Sequence, residues 1–207
     1  PDTETLVDWA FEVLANIPNP YVVDLGTGSG AIALAIQHVR RDAQVVAVDA
    51  SSDALAVAQA NADSLQLPVK CVQGSWLAAL QARDTSVSSP LSAVAPLDDA
   101  HPRFDLIVSN PPYIADGDSH LPGLVHEPIE ALTSGPDGLA DIRLIIAQSP
   151  GHLRPAGWLL LEHGHDQAKA VATLLSEHGF VNVQSRKDLA GIERCTGGQM
   201  LISGDRG

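Results

Sequence analysis

Tyr21-Val22-Val23-Asp24-Leu25-Gly26-Thr27-Gly28-Ser29-Gly30-Ala31-Ile32-Ala33-Leu34 is the stretch that decides the fold. Tyr21 to Leu25 is short, apolar and β-branched, which reads as a buried strand. Ala31 to Val39 reads as a compact apolar helix. Between them lie Gly26, Gly28 and Gly30. A strand, a glycine-rich turn and a helix bring backbone N–H groups and a helix N-terminus to one point. The glycines let the backbone approach a ligand and take positive φ. Gly26-x-Gly28-x-x-Ala31 also satisfies the dinucleotide fingerprint. A second strand, Gln44 to Asp49, ends on an acid, where a carboxylate can accept hydrogen bonds from both hydroxyls of a ribose. Dehydrogenases and enzymes using nucleoside-based methyl donors share both features, so the class of ligand stays open here. A tight turn whose glycines serve packing alone is the plainer alternative.

Working outward, strand and helix alternate. Residues 3 to 17 carry Leu6, Ala10, Val13, Leu14 and Ile17 at helical spacing, with Asp2 or Thr3 as cap and Pro18 and Pro20 as stop. Ser52 is expected to cap a helix with Leu55, Ala58, Ala62 and Leu65 on one face, stopped at Pro68. Val69 to Ser75 reads as a third strand, and Trp76 opens a short helix to Ala82. Residues 83 to 103 are rich in Ser, Ala, Pro and Asp without periodicity and read as a flexible surface loop. Phe104 to Ser109 is a fourth strand and 111 to 138 a long irregular stretch, of the kind that is usually functional. A helix over Leu139 to His152, a strand over Gly157 to Glu162 and a helix over Asp166 to His178, closed by Gly179, follow. Phe180 to Ser185 and Gln199 to Ser203 read as two last strands, antiparallel because no helix separates them. The alternation predicts an α/β, mainly parallel, doubly wound sheet.

The fourth strand runs into Asn110-Pro111-Pro112-Tyr113. Two prolines cannot continue a ladder, since neither has a backbone N–H. The strand therefore stops, leaving Asn110 at its carboxyl end, the end at which open α/β sheets bind ligands.

The chain has 207 residues, 45% hydrophobic and 18% charged, as expected of one domain with a full core. A formal net charge of −13 is a poor basis for holding a phosphate backbone and suits a cationic or weakly charged ligand or a basic protein partner. No leader and no apolar run near membrane-spanning length is readable, and Cys71 and Cys195 form no C-x-x-C, so a cytoplasmic setting is expected. The chain starts at Pro1 without an initiator Met, which suggests that an N-terminal part precedes it.

The combination of glycine loop, acid and Asn-Pro-Pro-Tyr resembles a Rossmann-like class I S-adenosylmethionine-dependent methyltransferase acting on planar amino or amide nitrogens. Pro1-Asp2-Thr3-Glu4-Thr5, Val23 to Leu34 and Ser109 to Ile114 are similar to the HemK/PrmC family. So are Glu127-Pro128, Gly135-x-Asp137-Gly138-Leu139, Leu161-Glu162-His163-Gly164 and Asp188-Leu189-Ala190-Gly191, and these motifs cover almost the whole chain. The resemblance implies protein-(glutamine-N5) methylation of the Gly-Gly-Gln loop of peptide-chain release factors, without direct nucleic-acid or membrane binding. It implies S-adenosyl-L-methionine as cofactor and S-adenosyl-L-homocysteine as product. The expected donor-binding residues are Gly26, Thr27, Gly28, Ser29, Gly30, Asp49, Trp76 and Asn110. Asn110, Pro111, Pro112 and Tyr113 are expected to bind the substrate, with Asn110, Pro111 and Tyr113 acting in catalysis. The family also carries a small helical N-terminal domain that would precede Pro1.

The implied fold is a seven-stranded mixed sheet in the order 3-2-1-4-5-7-6 with strand 7 antiparallel. Cys71 on strand 3 and Cys195 on strand 7 would then stand five strand spacings apart, roughly 24 Å at ~4.8 Å each. A disulfide needs Cα atoms within about 7 Å, so two thiols are expected.

Two positions depart from the family pattern. Gly74-Ser75 stands where Gly-Asp is usual, removing an acceptor for the adenine amino group, and His126 stands where an aromatic usually precedes Glu127-Pro128. His120, His126, Glu127 and Glu130, or His163 and His165, fit no established metal-ligand spacing. Gly197-Gly198-Gln199 matches the implied substrate motif and reads as coincidence. Two alternatives remain: the same tetrad acting on a ribosomal-protein glutamine or on an adenine amino group of DNA or RNA, and a non-catalytic nucleotide-binding or dehydrogenase domain.

Overall fold

The computed structural model describes residues 2–80, 97–98, 101–117 and 132–201. Its main sheet has seven strands: β1 (Tyr21–Leu25), β2 (Gln44–Asp49), β3 (Lys70–Gln73), β4 (Phe104–Ser109), β5 (Leu153–Glu162), β6 (Phe180–Lys187) and β7 (Glu193–Met200). Their order is β3-β2-β1-β4-β5-β7-β6. The β1–β2, β2–β3, β1–β4 and β4–β5 pairs are parallel, and β7 runs antiparallel to both β5 and β6. This is the topology expected from the sequence.

Among the described residues, five α-helices cover the two faces: α1 (Asp2–Leu14), α2 (Ala31–Val39), α3 (Ser52–Leu65), α4 (Ala140–Gln148) and α5 (Ala168–Glu177). The strand period of two sends alternate residues of each strand to opposite cores. Val22 joins Leu6, Trp9, Leu14, Ile36 and Ala62 on the side of α1 to α3. Val23 and Leu25 join Leu77, Ile142, Ile145, Val171 and Leu175 on the side of α4 and α5.

Several boundaries differ from expectation, each for a local reason. α1 ends at Leu14, not 17, because the residue before Pro18 is pushed out of the helical region. Arg40 instead reaches over to donate to the carbonyls of Leu14 and Ile17. Ser51, not Ser52, caps α3: its hydroxyl accepts from Ala54 N at 3.2 Å. β3 is trimmed to Lys70–Gln73, and Trp76–Leu80 is a 3₁₀ turn. Within 83–103, Leu97–Asp98 and His101–Pro102 pair as a two-stranded antiparallel ribbon, so this part is not irregular loop; residues 83–96 and 99–100 lie outside the described residues. α4 gives way to a 3₁₀ turn over Ser149–Gly151, where Pro150 has no N–H to continue an α-helix. β5 begins at Leu153, four residues early, and tolerates Pro155 because its pairing with β4 is irregular there.

β7 is the largest correction. The sequence places a strand at Gln199 to Ser203, and it lies at Glu193–Met200. Polar residues and two glycines hide it from periodicity. A Cβ on Gly197 would sit 2.5 Å from Leu160 Cδ2, and one on Gly198 would sit 2.9 Å from Phe180 Cβ. The glycines are what let this strand pass between its neighbours. Cys71 is on β3 and Cys195 on β7, and neither forms a disulfide.

Candidate active site

The carboxyl ends of β1, β2 and β4 lie side by side, with Leu25 paired to Val48 on one flank and to Ser109 on the other. The Ser109 hydroxyl donates to the Leu25 carbonyl at 2.7 Å, tying the last turn of β4 to the start of the glycine loop. Asn110 therefore begins beside Gly26. Among the described residues, the Asn110 side chain has no hydrogen-bond partner.

The three glycines serve different purposes. All have positive φ, of 69°, 56° and 86°. A Cβ on Gly26 would lie 3.1 Å from the Trp76 ring, and one on Gly30 would lie 3.1 Å from Leu34 and 3.2 Å from Ala58. These two are needed by packing. A Cβ on Gly28 would meet nothing within 4 Å. Gly28 is the one whose backbone faces open space, where a ligand can lie against it.

The loop's amide groups are largely committed. Gly26 N and Thr27 N donate to the Val48 carbonyl at 2.8 and 3.0 Å, and Gly30 N donates to the Thr27 carbonyl at 2.9 Å. Gly28 N donates to Asp49 Oδ2, also at 2.9 Å. A phosphate cradle needs such groups aimed at the ligand. This loop directs them into the protein and sets two carboxylates, Asp24 and Asp49, behind them. It favours a ligand that is cationic at this point over a pyrophosphate.

Asp49 takes one N–H on each oxygen, from Gly28 and from Ser51 (2.9 Å each). A carboxylate has about four acceptor positions, so capacity remains for hydroxyl groups of a ligand. Asp24 was missed as a site residue. It is fully buried, and its Oδ2 accepts from Thr27 Oγ1 at 2.6 Å and from Ala33 N at 3.1 Å. It thus caps the first turn of α2 from β1, where the helix dipole favours an anion. Burial nonetheless pushes its pKa up to about 6. Its Oδ1 is buried without a partner, a second sign of acceptor capacity under the loop. An acid inside an apolar strand was the available signal.

The structure brings Trp76 to this site as well. Its indole is half-buried against the core of α4 and α5, and its Nε1 donates to Asp141 Oδ1 at 3.1 Å. Asp141 also accepts from the Ser134 hydroxyl at 2.8 Å. Thr27 and Ser29 both lie in the loop. The Thr27 hydroxyl is committed to Asp24, while Ser29 is exposed with its carbonyl held by Asn61 Nδ2 of α3 at 3.0 Å. Ser75 is exposed at the start of the 3₁₀ turn.

Pro111 is buried, and Pro112 and Tyr113 are half-buried. The Arg194 guanidinium stands 6.0 Å from the Tyr113 ring centre. Beyond Tyr113 the chain is held by pairing of Ile114 with Thr133: Ile114 N donates to the Leu132 carbonyl and Ser134 N to the Ile114 carbonyl. His120, His126, Glu127 and Glu130 lie outside the described residues. His163 is buried, with Nε2 2.7 Å from Thr196 Oγ1 and Nδ1 2.9 Å from the Gly164 carbonyl, whereas His165 is exposed. Among the described residues no cluster could hold a metal ion, and no helix is long and apolar enough to cross a membrane.

Fold and loop together define a methyltransferase domain, and the family model of the methyltransferase small domain matches residues 5–135. A 16S rRNA N2 methyltransferase from T. thermophilus, solved with AdoMet and guanosine, has the same fold: TM-score 0.64, 20% identity, 97% of this chain and 43% of that one covered. Release factor glutamine methyltransferase of Bordetella pertussis is 46% identical over 97% of this chain and 68% of its own length. That of Burkholderia pseudomallei is 45% identical over 97% and 67%. The chain belongs to the release factor glutamine methyltransferase family. It spans about two thirds of the length of these relatives.

Proposed function

We propose that the chain methylates N5 of the glutamine side chain in the Gly-Gly-Gln motif of peptide-chain release factors, in the cytoplasm, with S-adenosylmethionine as donor. The observation that carries the reading is the meeting of two loop starts at one point. The open backbone of Gly28 and the acid Asp49 lie on one side, and the uncommitted amide of Asn110 lies on the other. The donor, when bound, supplies an electrophilic methyl group on a cationic sulfur.

Gly28 gives the donor a surface without side-chain obstruction. Asp49 has acceptor capacity for the ribose hydroxyls. The buried carboxylate of Asp24 and the half-buried one of Asp49 favour positive charge near the loop. Trp76, braced by Asp141, forms an apolar wall against which an adenine can stack.

An amide nitrogen is a weak nucleophile because its lone pair is delocalised into the carbonyl. The chain must hold both N–H bonds so that nitrogen faces the methyl group. The Asn110 side-chain oxygen accepts one N–H and the Pro111 carbonyl accepts the other. Two acceptors aimed this way would raise electron density on the amide nitrogen that faces the donor's methyl group. This is positioning with electrostatic preorganisation, which can contribute on the order of 7–11 kcal/mol. Tyr113 packs its ring beside the planar amide. The proton leaves nitrogen after transfer, so no strong base is required in the wall.

Incubation with a release factor and methyl-labelled donor tests the reading. Label is expected on the Gly-Gly-Gln peptide. Label on an adenine-containing oligonucleotide or a ribosomal-protein glutamine instead would overturn it.

A further inference from the structure

Gln167 lies at the N-terminus of α5, buried, and joins three stretches that are distant in sequence. Its Oε1 accepts from Gly164 N at 2.8 Å, just past the end of β5. Its Nε2 donates to the Tyr113 carbonyl at 3.0 Å and to the Asp137 carbonyl at 3.2 Å. Only one orientation of the amide serves all three, since the oxygen must face an N–H and the nitrogen two carbonyls. The neighbouring turn is shaped to admit it. Gly138 has φ +70°, and a Cβ there would lie 2.8 Å from Gln167 Nε2 and 2.9 Å from the Tyr113 carbonyl carbon.

Gln167 bonds to neither Asn110 nor Pro111. It holds the last peptide of a segment whose two middle residues have φ fixed by proline rings. In so stiff a segment, the angle of the last peptide sets the angle of the first. Ser109 anchors the other end on Leu25. We propose that Gln167 is a positioning residue that fixes the Tyr113 peptide and, through it, the aim of the Asn110 and Pro111 acceptors at the substrate amide. This rests on the function proposed above.

Two substitutions in the full chain test it. Gln167→Leu removes all three bonds at similar volume. Turnover is expected to fall by about tenfold to a hundredfold, as misplacement of a reacting group costs. Affinity for the donor, measured by calorimetry, should stay within about twofold, because none of these bonds touches the glycine loop. Hydrogen exchange at the Ile114 and Ser134 amides should quicken, a readout independent of activity. Gln167→Glu keeps the acceptor for Gly164 but turns a carboxylate toward two carbonyls. Burial and that repulsion raise its pKa, and only the protonated form can donate to Tyr113. Its turnover relative to the unsubstituted chain should therefore fall as pH rises from about 6 to about 8.5. Unchanged turnover in Gln167→Leu, loss of donor affinity in step with turnover, unaltered exchange, or a Gln167→Glu profile parallel to that of the unsubstituted chain would each overturn the proposal. Should the unsubstituted chain fail to label a release factor, the function proposed above falls, while the exchange measurement still decides whether Gln167 holds Tyr113.

Discussion

Asn110 and Asp24 show how one residue can matter through what it leaves open or what it occupies. Asn110 is half-buried with no hydrogen-bond partner among the described residues, so replacing it removes no internal bond. Asn110→Ala is expected to lower transfer by about a hundredfold to a thousandfold, the scale of losing one preorganised polar group. The melting temperature should not move, and turnover with labelled donor alongside a thermal melt checks both parts. Asp24 holds its proton in the native state at pH values where the unfolded chain has lost it, because burial raises its pKa to about 6. Its contribution is present below pH ~4 and is lost as pH rises toward ~6, amounting to about 3 kcal/mol for a shift of two units. Burial of His163 acts in the opposite sense: its pKa is lowered, so stability is lost as pH falls below its ordinary value. Asp24→Asn isolates the first effect. Denaturant unfolding of both proteins between pH 4 and 7 should give a difference that declines with rising pH through this window. The acid was visible in the sequence, but its bond to Ala33 N and its empty Oδ1 depend on how β1 packs under α2.

At the level of elements, β1, β2, β4 and α2 have the bounds that apolar runs and end signals assign them, because each is delimited by residues next to it in sequence. β7 does not, because its reason to be a strand lies in its partners. Gly197 crosses over Leu159 and Leu160 of β5, with Trp9 of α1 on the same side. Gly197→Ala should destabilise the fold by about 1–3 kcal/mol, the usual cost of overpacking, with a lowered denaturant midpoint and unchanged slope. The glycine loop divides in the same way. Its presence is plain from sequence, but the roles of Gly26 against Trp76, Gly30 against Ala58 and Gly28 against open space appear only once α3 and the 3₁₀ turn are in place.

Across the whole molecule, the sheet separates two cores and brings to the carboxyl ends of its parallel strands residues that lie far apart in the chain. Gly28, Asp49 and Asn110 were singled out from sequence because each lies at or just past the end of a strand, whereas Trp76 and Tyr113 rested on the resemblance to the family. Asp141 and Gln167 were not, since their bonds to Trp76 and Tyr113 span 65 and 54 positions with no local signature. The net charge of −13 belongs to this scale too. A phosphate backbone carries charge of the same sign, and a basic protein the opposite sign.

The buried Gly197-Gly198-Gln199 has a further meaning at that scale. The chain contains the tripeptide on which it is proposed to act, yet the folded molecule makes it illegible. Both glycines are enclosed, and the Gln199 amide is engaged at both ends, donating to the Ala156 carbonyl at 3.0 Å and accepting from Asn182 at 2.9 Å. Folded protein incubated with donor should gain no methyl group on Gln199, as peptide mass analysis would show. A copy that has lost β7 presents the same three residues as ordinary peptide to its intact neighbours. On the proposed activity, methyl-Gln199 would then be a mark of unfolding and not of the folded state.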